Sequence, residues 1–135
     1  MTASVEYNGN LRCTSVHLKS NTQLVTDAPI DNHGKGQSFS PTDTVAVALA
    51  SCMLTIMGIK AASLDIDLEG SRAQVLKIMD SSPRRISRLD VQFDMKSNST
   101  DVKTIGLLEK AARSCPVAHS LHPDLELIIK FNWLS

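Results

Sequence analysis

The sequence predicts an α+β domain in the order βββ–α–ββ–αα–β, and three observations lead there. Segments of two-residue apolar alternation come in blocks, not singly between helices, which argues against a doubly wound parallel sheet. Between the blocks lies a run without formal charge, from Thr44 to Ile59, closed by Asp43 and Lys60. A strong helix-start signal, Ser40-Pro41-Thr42-Asp43, stands directly before that run.

Taken in order, residues 2–8 (TASVEYN) read as a strand and Gly9-Asn10 as a turn. Residues 11–19 (LRCTSVHLK) alternate well enough for a second strand, Ser20-Asn21 turns again, and Gln23–Thr26 forms a short third strand. A three-stranded meander fits this stretch. Residues 27–39 are rich in Pro, Asp, Asn and Gly and read as loop. Ser40 then caps a helix, Pro41 suits its first position and Asp43 its third. That helix should run to about Ala62. Apolar on every face, it must be surrounded. One small sheet cannot surround it, so a dimer with this helix at its centre is the economical arrangement.

Residues 64–80 read as a strand with a bulge or break at Gly70, and Ser81-Ser82-Pro83 turns the chain. In 84–96 the apolar members are Ile86, Leu89, Val91, Phe93 and Met95. The Ile86-to-Leu89 step breaks the alternation once, so the strand is placed from about Ser87. Residues 101–113 form a second helix with Thr100 as its cap. Cys115–Leu121 is a short third helix, and Asp124–Trp133 closes the domain as a strand.

At 135 residues the length suits a single domain over 1–135. Lys+Arg and Asp+Glu are 14 each, so there is no basic excess to hold phosphates or an anionic membrane surface. Nucleic-acid and membrane partners are therefore not expected. The uncharged run is short of the roughly 20 apolar residues that a membrane span needs, and MTASVEYNGNLR has neither the basic start nor the apolar core of a signal peptide. Three cysteines, an odd number, argue against a structural disulfide framework and for a cytoplasmic setting. With three Phe, one Tyr and one Trp, the core must be aliphatic.

Chemistry centres on two cysteines. Cys52 lies inside the uncharged run, where an apolar setting opposes the thiolate that reactivity needs. From the residues alone a small buried hydrophobe is the modestly favoured reading. Cys115 precedes Pro116 and so occupies the N-cap of the short helix, where unpaired N–H groups should lower a thiol pKa; Arg113 adds positive charge nearby. Asp43 precedes Cys52 by nine residues, on the opposite helix face and roughly 13 Å away along a straight helix. An acid interacting with its own helix dipole is its simpler reading. Arg12, near a turn, could reach a thiolate or an acid, though a lone arginine is more often solvated. Cys13 reads as strand packing. Cys115, His119 and His122 form a Cys-x3-His-x2-His pattern that falls short of the four ligands of a structural zinc site, so no metal or bound cofactor is expected.

SPTDTVAVALASCMLTIMGIKA (40–61) strongly resembles the central helix of the OsmC/Ohr family, the osmotically inducible and organic hydroperoxide resistance proteins. RSCPVAHSL (113–121) resembles that family's second-cysteine motif, and the spacing and element order match over most of the chain. The resemblance implies an OsmC-like fold and an intertwined homodimer whose central helices are backed by sheets. It implies a thiol peroxidase that reduces organic hydroperoxides at the dimer interface, with Cys52 as peroxidatic and Cys115 as resolving cysteine. An external dithiol would reopen their disulfide. In the hydroperoxide-resistance branch a Pro-Glu acid pairs with an N-terminal arginine. Here the motif reads Pro41-Thr42-Asp43, and Arg12 lies nearest the arginine's place; the SPTD form is more like a general OsmC-like subgroup. The alternative on the same fold is a non-enzymatic redox sensor or small-molecule binder.

Overall fold

The computed structural model describes residues 1–134, which group into two compact units, Met1–Val45 and the described residues from Ala46 onward. The first unit is the expected meander: β1 (Ala3–Gly9), β2 (Arg12–His17) and β3 (Gln23–Asp27), antiparallel in the order β1-β2-β3. Its first turn needs left-handed backbone at Gly9, Asn10 and Leu11, and its second at Asn21. Gly and Asn adopt that conformation at least cost. The register places Arg12 across from Asp27 and Cys13 across from Tyr7 and Thr26. A short 3-10 turn, Ile30–Asn32, lies in the segment expected to be loop. This unit buries no apolar side chain: its buried residues are Asp27 and Ser40, while Val5, Tyr7, Leu24 and Phe39 are exposed.

Helix α1 runs Pro41–Ala62, as the start signal and the uncharged run predict. A reciprocal capping box opens it. The Asp43 N–H donates to Ser40 Oγ at 3.1 Å, and the Ser40 N–H donates to the Asp43 carboxylate at 2.9 Å. One face, formed by Ala46, Leu49, Ala50, Met53, Met57 and Ala61, is buried. Along the other, Ala48, Ser51, Thr55, Gly58 and Ala62 are exposed with Val47 and Ile59. The expectation of a helix covered all round is thus met on one side only within a single chain. By length and composition α1 is the one described helix that could cross a membrane, a test that the core helix of a soluble protein also passes.

In the second unit, β4 (Arg72–Ser81) and β5 (Arg84–Lys96) pair antiparallel, and β6 (Glu126–Leu134) lies parallel to β5. Residues 64–71 are turn, not the start of a strand as expected. Left-handed backbone at Asp65 and Gly70 directs the chain away from extended structure until Arg72. The irregular step after Ile86 has a different cause from a late strand start: Met79 pairs with Ile86 and Ile78 with Arg88, so Ser87 is the extra residue of a bulge. The parallel β5–β6 pair requires a crossover, supplied by α2 (Val102–Arg113) and α3 (Pro116–Ser120). Asp101, not Thr100, caps α2, its carboxylate accepting the Thr104 N–H at 2.9 Å. The α1 face packs with Leu89, Val91, Phe93 and Met95 of β5, and Leu127, Ile129, Phe131 and Trp133 of β6 join them in register. The Phe93 and Phe131 rings stack at 5.1 Å.

Candidate active site

Cys52 stands at the margin of the buried face of α1, between exposed Ser51 and buried Met53, and is itself half-buried. Its side chain packs against the core cluster that includes Cys115. Cys115 is the N-cap of α3, with Pro116 at the first helical position. Proline there loses no hydrogen bond, because that amide has no partner in the helix. The Cys115 side chain is 0% exposed, and its Sγ accepts the Ala118 N–H at 3.3 Å. The Cys52 thiol lies close enough to Cys115 to influence its titration. Residues 63 positions apart in the chain, one from the middle of a long helix and one from a helix junction, thereby share one site. All three cysteines are free thiols.

The expectation that the cap lowers the Cys115 pKa is overturned. Burial pushes this thiol up, and the neighbouring Cys52 adds to the rise. The Ala118 and Val117 N–H groups pull it down by less. Cap donors favour a thiolate only where water or charge also helps to solvate it, and this sulfur has no access to water. Cys115 therefore favours its protonated form more than an exposed thiol does.

A cavity of about 150 Å³ is lined by Met53, Arg113, Ala118, Leu127 and Ile129. Met53 follows Cys52, the Ala118 N–H donates to Cys115, and the Arg113 guanidinium sits over the Phe131 ring, 5.6 Å from its centre. The pocket can hold a small organic group on aliphatic walls with one cationic edge.

Arg12 and Asp43, the other two expected site residues, lie in the first unit. Arg12 makes a bidentate pair with Asp27, Nε to Oδ1 at 2.7 Å and Nη2 to Oδ2 at 2.8 Å, and also donates to Gln37 Oε1 at 3.2 Å. Asp27 is 3% exposed and accepts the Gln37 N–H as well. The Arg12 guanidinium holds the Asp27 carboxyl below its usual range, and Arg12 is raised in turn. Asp43 is engaged in the capping box. Asp27 was not among the expected site residues. Its signal was the meander register: a turn centred on Ser20-Asn21 sets residue 12 roughly opposite residue 27, an opposite-charge cross-strand pair. Cys13 is half-buried in β2. His119 is an exposed residue of α3, and His122 Nδ1 accepts the Asp124 N–H. Among the described residues no three His, Cys, Asp or Glu side chains group as metal ligands.

Comparison with known proteins places this geometry in a family. The family model of the OsmC-like proteins matches residues 34–130. A Psychrobacter arcticus protein, provisionally named as an osmotic stress induced and detoxification response protein, is 46% identical with a TM-score of 0.93, over 98% of this chain and 96% of that one. A Legionella pneumophila protein named organic hydroperoxide resistance protein OsmC is 16% identical, with a TM-score of 0.72 over 98% of this chain and 97% of that one. The organic hydroperoxide resistance protein OhrB of Bacillus subtilis is 19% identical, with a TM-score of 0.65 over 98% of each chain. No curated protein sequence matches. The fold, the family model and the Psychrobacter relative agree: this chain belongs to the OsmC family.

Proposed function

We propose that this protein is a thiol-dependent peroxidase that reduces organic hydroperoxides through Cys52 and Cys115. The observation that carries the reading is the pairing of two thiols in one core cluster, one half-buried and the other fully buried with its pKa raised. The names of the Legionella and Bacillus proteins point to the same chemistry. Burial disfavours a Cys115 thiolate, so half-buried Cys52 is the proposed first nucleophile. It attacks a peroxide oxygen, the O–O bond breaks, and the leaving alkoxide takes a proton to depart as alcohol. Cys52 is left as a sulfenic acid. The Cys115 sulfur then attacks that sulfur; its own proton leaves with the hydroxyl as water, and a disulfide remains. An external dithiol restores both thiols by exchange. The small cavity walled by Met53 and Ala118 would receive the organic group.

By family resemblance, Arg12 and Asp43 are proposed to support the thiolate; Asp27 would then hold Arg12 in its working orientation. A homodimer is proposed with this activity. Met1–Val45 buries no apolar side chain by itself, and α1 leaves a stripe of small residues uncovered, so a second copy has both to cover. Three free thiols suit a reducing compartment, and the cytoplasm is the proposed location.

The test is consumption of tert-butyl hydroperoxide with excess dithiothreitol. Wild-type protein should turn over, Cys52→Ser should fall to background, and Cys115→Ser should accumulate Cys52 sulfinic acid by mass spectrometry. A disulfide that forms without steady turnover would make the protein a redox sensor, and absence of any Cys52–Cys115 disulfide would end both readings.

A further inference from the structure

The Cys115 sulfur does two things at once. It is a neighbour of Cys52, and it is the acceptor that caps α3 through the Ala118 N–H. These roles conflict on oxidation. A disulfide brings two sulfurs to about 2.05 Å, well inside any hydrogen-bonded thiol contact, so at least one sulfur must move. Cys52 belongs to a helix of 22 residues with six of them buried. Cys115 belongs to the junction before a helix of five residues, none of them buried. The displacement therefore falls on the Cys115 side, and it draws the sulfur off the amide it caps. A helix this short does not persist on its own backbone bonds. Without the cap its ends are held by bonds such as those from the His119 N–H to the Cys115 carbonyl, from the Leu121 N–H to the Ala118 carbonyl, and from Ser120 Oγ to the Pro116 carbonyl.

We propose that α3 is a redox-released element: closing the Cys52–Cys115 disulfide uncaps it, and Pro116–Ser120 loosens in the oxidised protein only. The loosened segment uncovers a sulfur that is wholly buried in the reduced state, so an external dithiol meets an opening that reduced protein does not offer. The inference rests on the disulfide of the proposed function but not on peroxidase turnover. Its chemistry is a two-electron oxidation of two thiols to one disulfide, with an organic hydroperoxide reduced to alcohol and water or, in the test, diamide reduced to its hydrazine.

The experiment is amide hydrogen exchange on the full chain, reduced and after diamide treatment, with the disulfide verified by mass. Ala118 and Val117 should exchange about fivefold faster or more once oxidised, the scale of a lost helix cap. Leu108 and Ala112 of α2 should not change. In Cys52→Ser, which keeps the cap sulfur but cannot form the bond, diamide should leave Ala118 unaffected. A verified disulfide with unchanged Ala118 exchange, or an equal response in Cys52→Ser, overturns the proposal. If diamide yields no intramolecular disulfide, the thiol-pair reading itself fails, and the mass alone separates that outcome from the first. Hydroperoxide in place of diamide then reports on the peroxidase reading separately.

Discussion

Cys115 answers to opposing influences, and the balance sets a measurable pH dependence. Two N–H donors favour its thiolate, but burial and the adjacent Cys52 disfavour it more, and the pKa rises. The folded state therefore prefers the protonated thiol more strongly than the unfolded chain does. Stability from this group is complete below the ordinary thiol value and is lost as pH climbs from there through the raised value. The urea midpoint of reduced wild-type protein should fall more steeply above about pH 8.5 than that of Cys115→Ser. Equal slopes would mean that the site is wetter than this geometry allows. Asp27 carries the opposite sign. Arg12 depresses its pKa, so its stabilisation is present above the ordinary carboxylate range and fades as acid titrates it through the lowered value. Local rules served well at this scale where partners are close in sequence. Ser40, Pro41 and Asp43 declare a helix start, and a capping box forms there. They failed for the Cys115 pKa, because burial comes from residues distant in the chain.

Among elements, α1 organises the second unit. Its buried stripe at three- and four-residue spacing meets the β5 row of Leu89, Val91, Phe93 and Met95. Leu49 is fully buried in that contact. Leu49→Ala should cost about 2–5 kcal/mol in denaturant unfolding, the usual range for a core leucine truncation. A loss under about 1 kcal/mol would mean that the site collapses around the deletion. Strand boundaries were less legible than strand existence. The interrupted alternation around Ile86 was read as a late start, yet β5 begins at Arg84 and the interruption is the Ser87 bulge. A bulge and a boundary both break a two-residue period, and only the paired strand tells them apart. The 64–71 segment shows the same limit: its alternation looks extended, but left-handed turns at Asp65 and Gly70 override it.

On the scale of the whole molecule, the uncovered face of α1 bears on assembly. A Cβ added at Gly58 meets nothing within 4 Å in a single chain. Glycine in a helix interior costs about 1 kcal/mol relative to alanine, so replacement should be neutral or stabilising in a monomer. In a dimer packed on this stripe, Gly58→Glu places a charge in the interface. Sedimentation velocity should show a wild-type dimer and a variant shifted toward monomer. A wild-type monomer, or a variant that dimerises equally well, would remove the dimer from the proposed function.

The sequence by itself determined the order of elements, the length of α1 and the family, because periodicity, capping and short motifs are local properties carried by neighbouring residues. It also singled out both cysteines. Only the tertiary structure decided that the two thiols pack into one cluster, that Arg12 is held by Asp27, and that burial raises the Cys115 pKa. Those outcomes depend on which distant atoms exclude water and which charges fall within reach, and neither quantity is defined until the chain has packed.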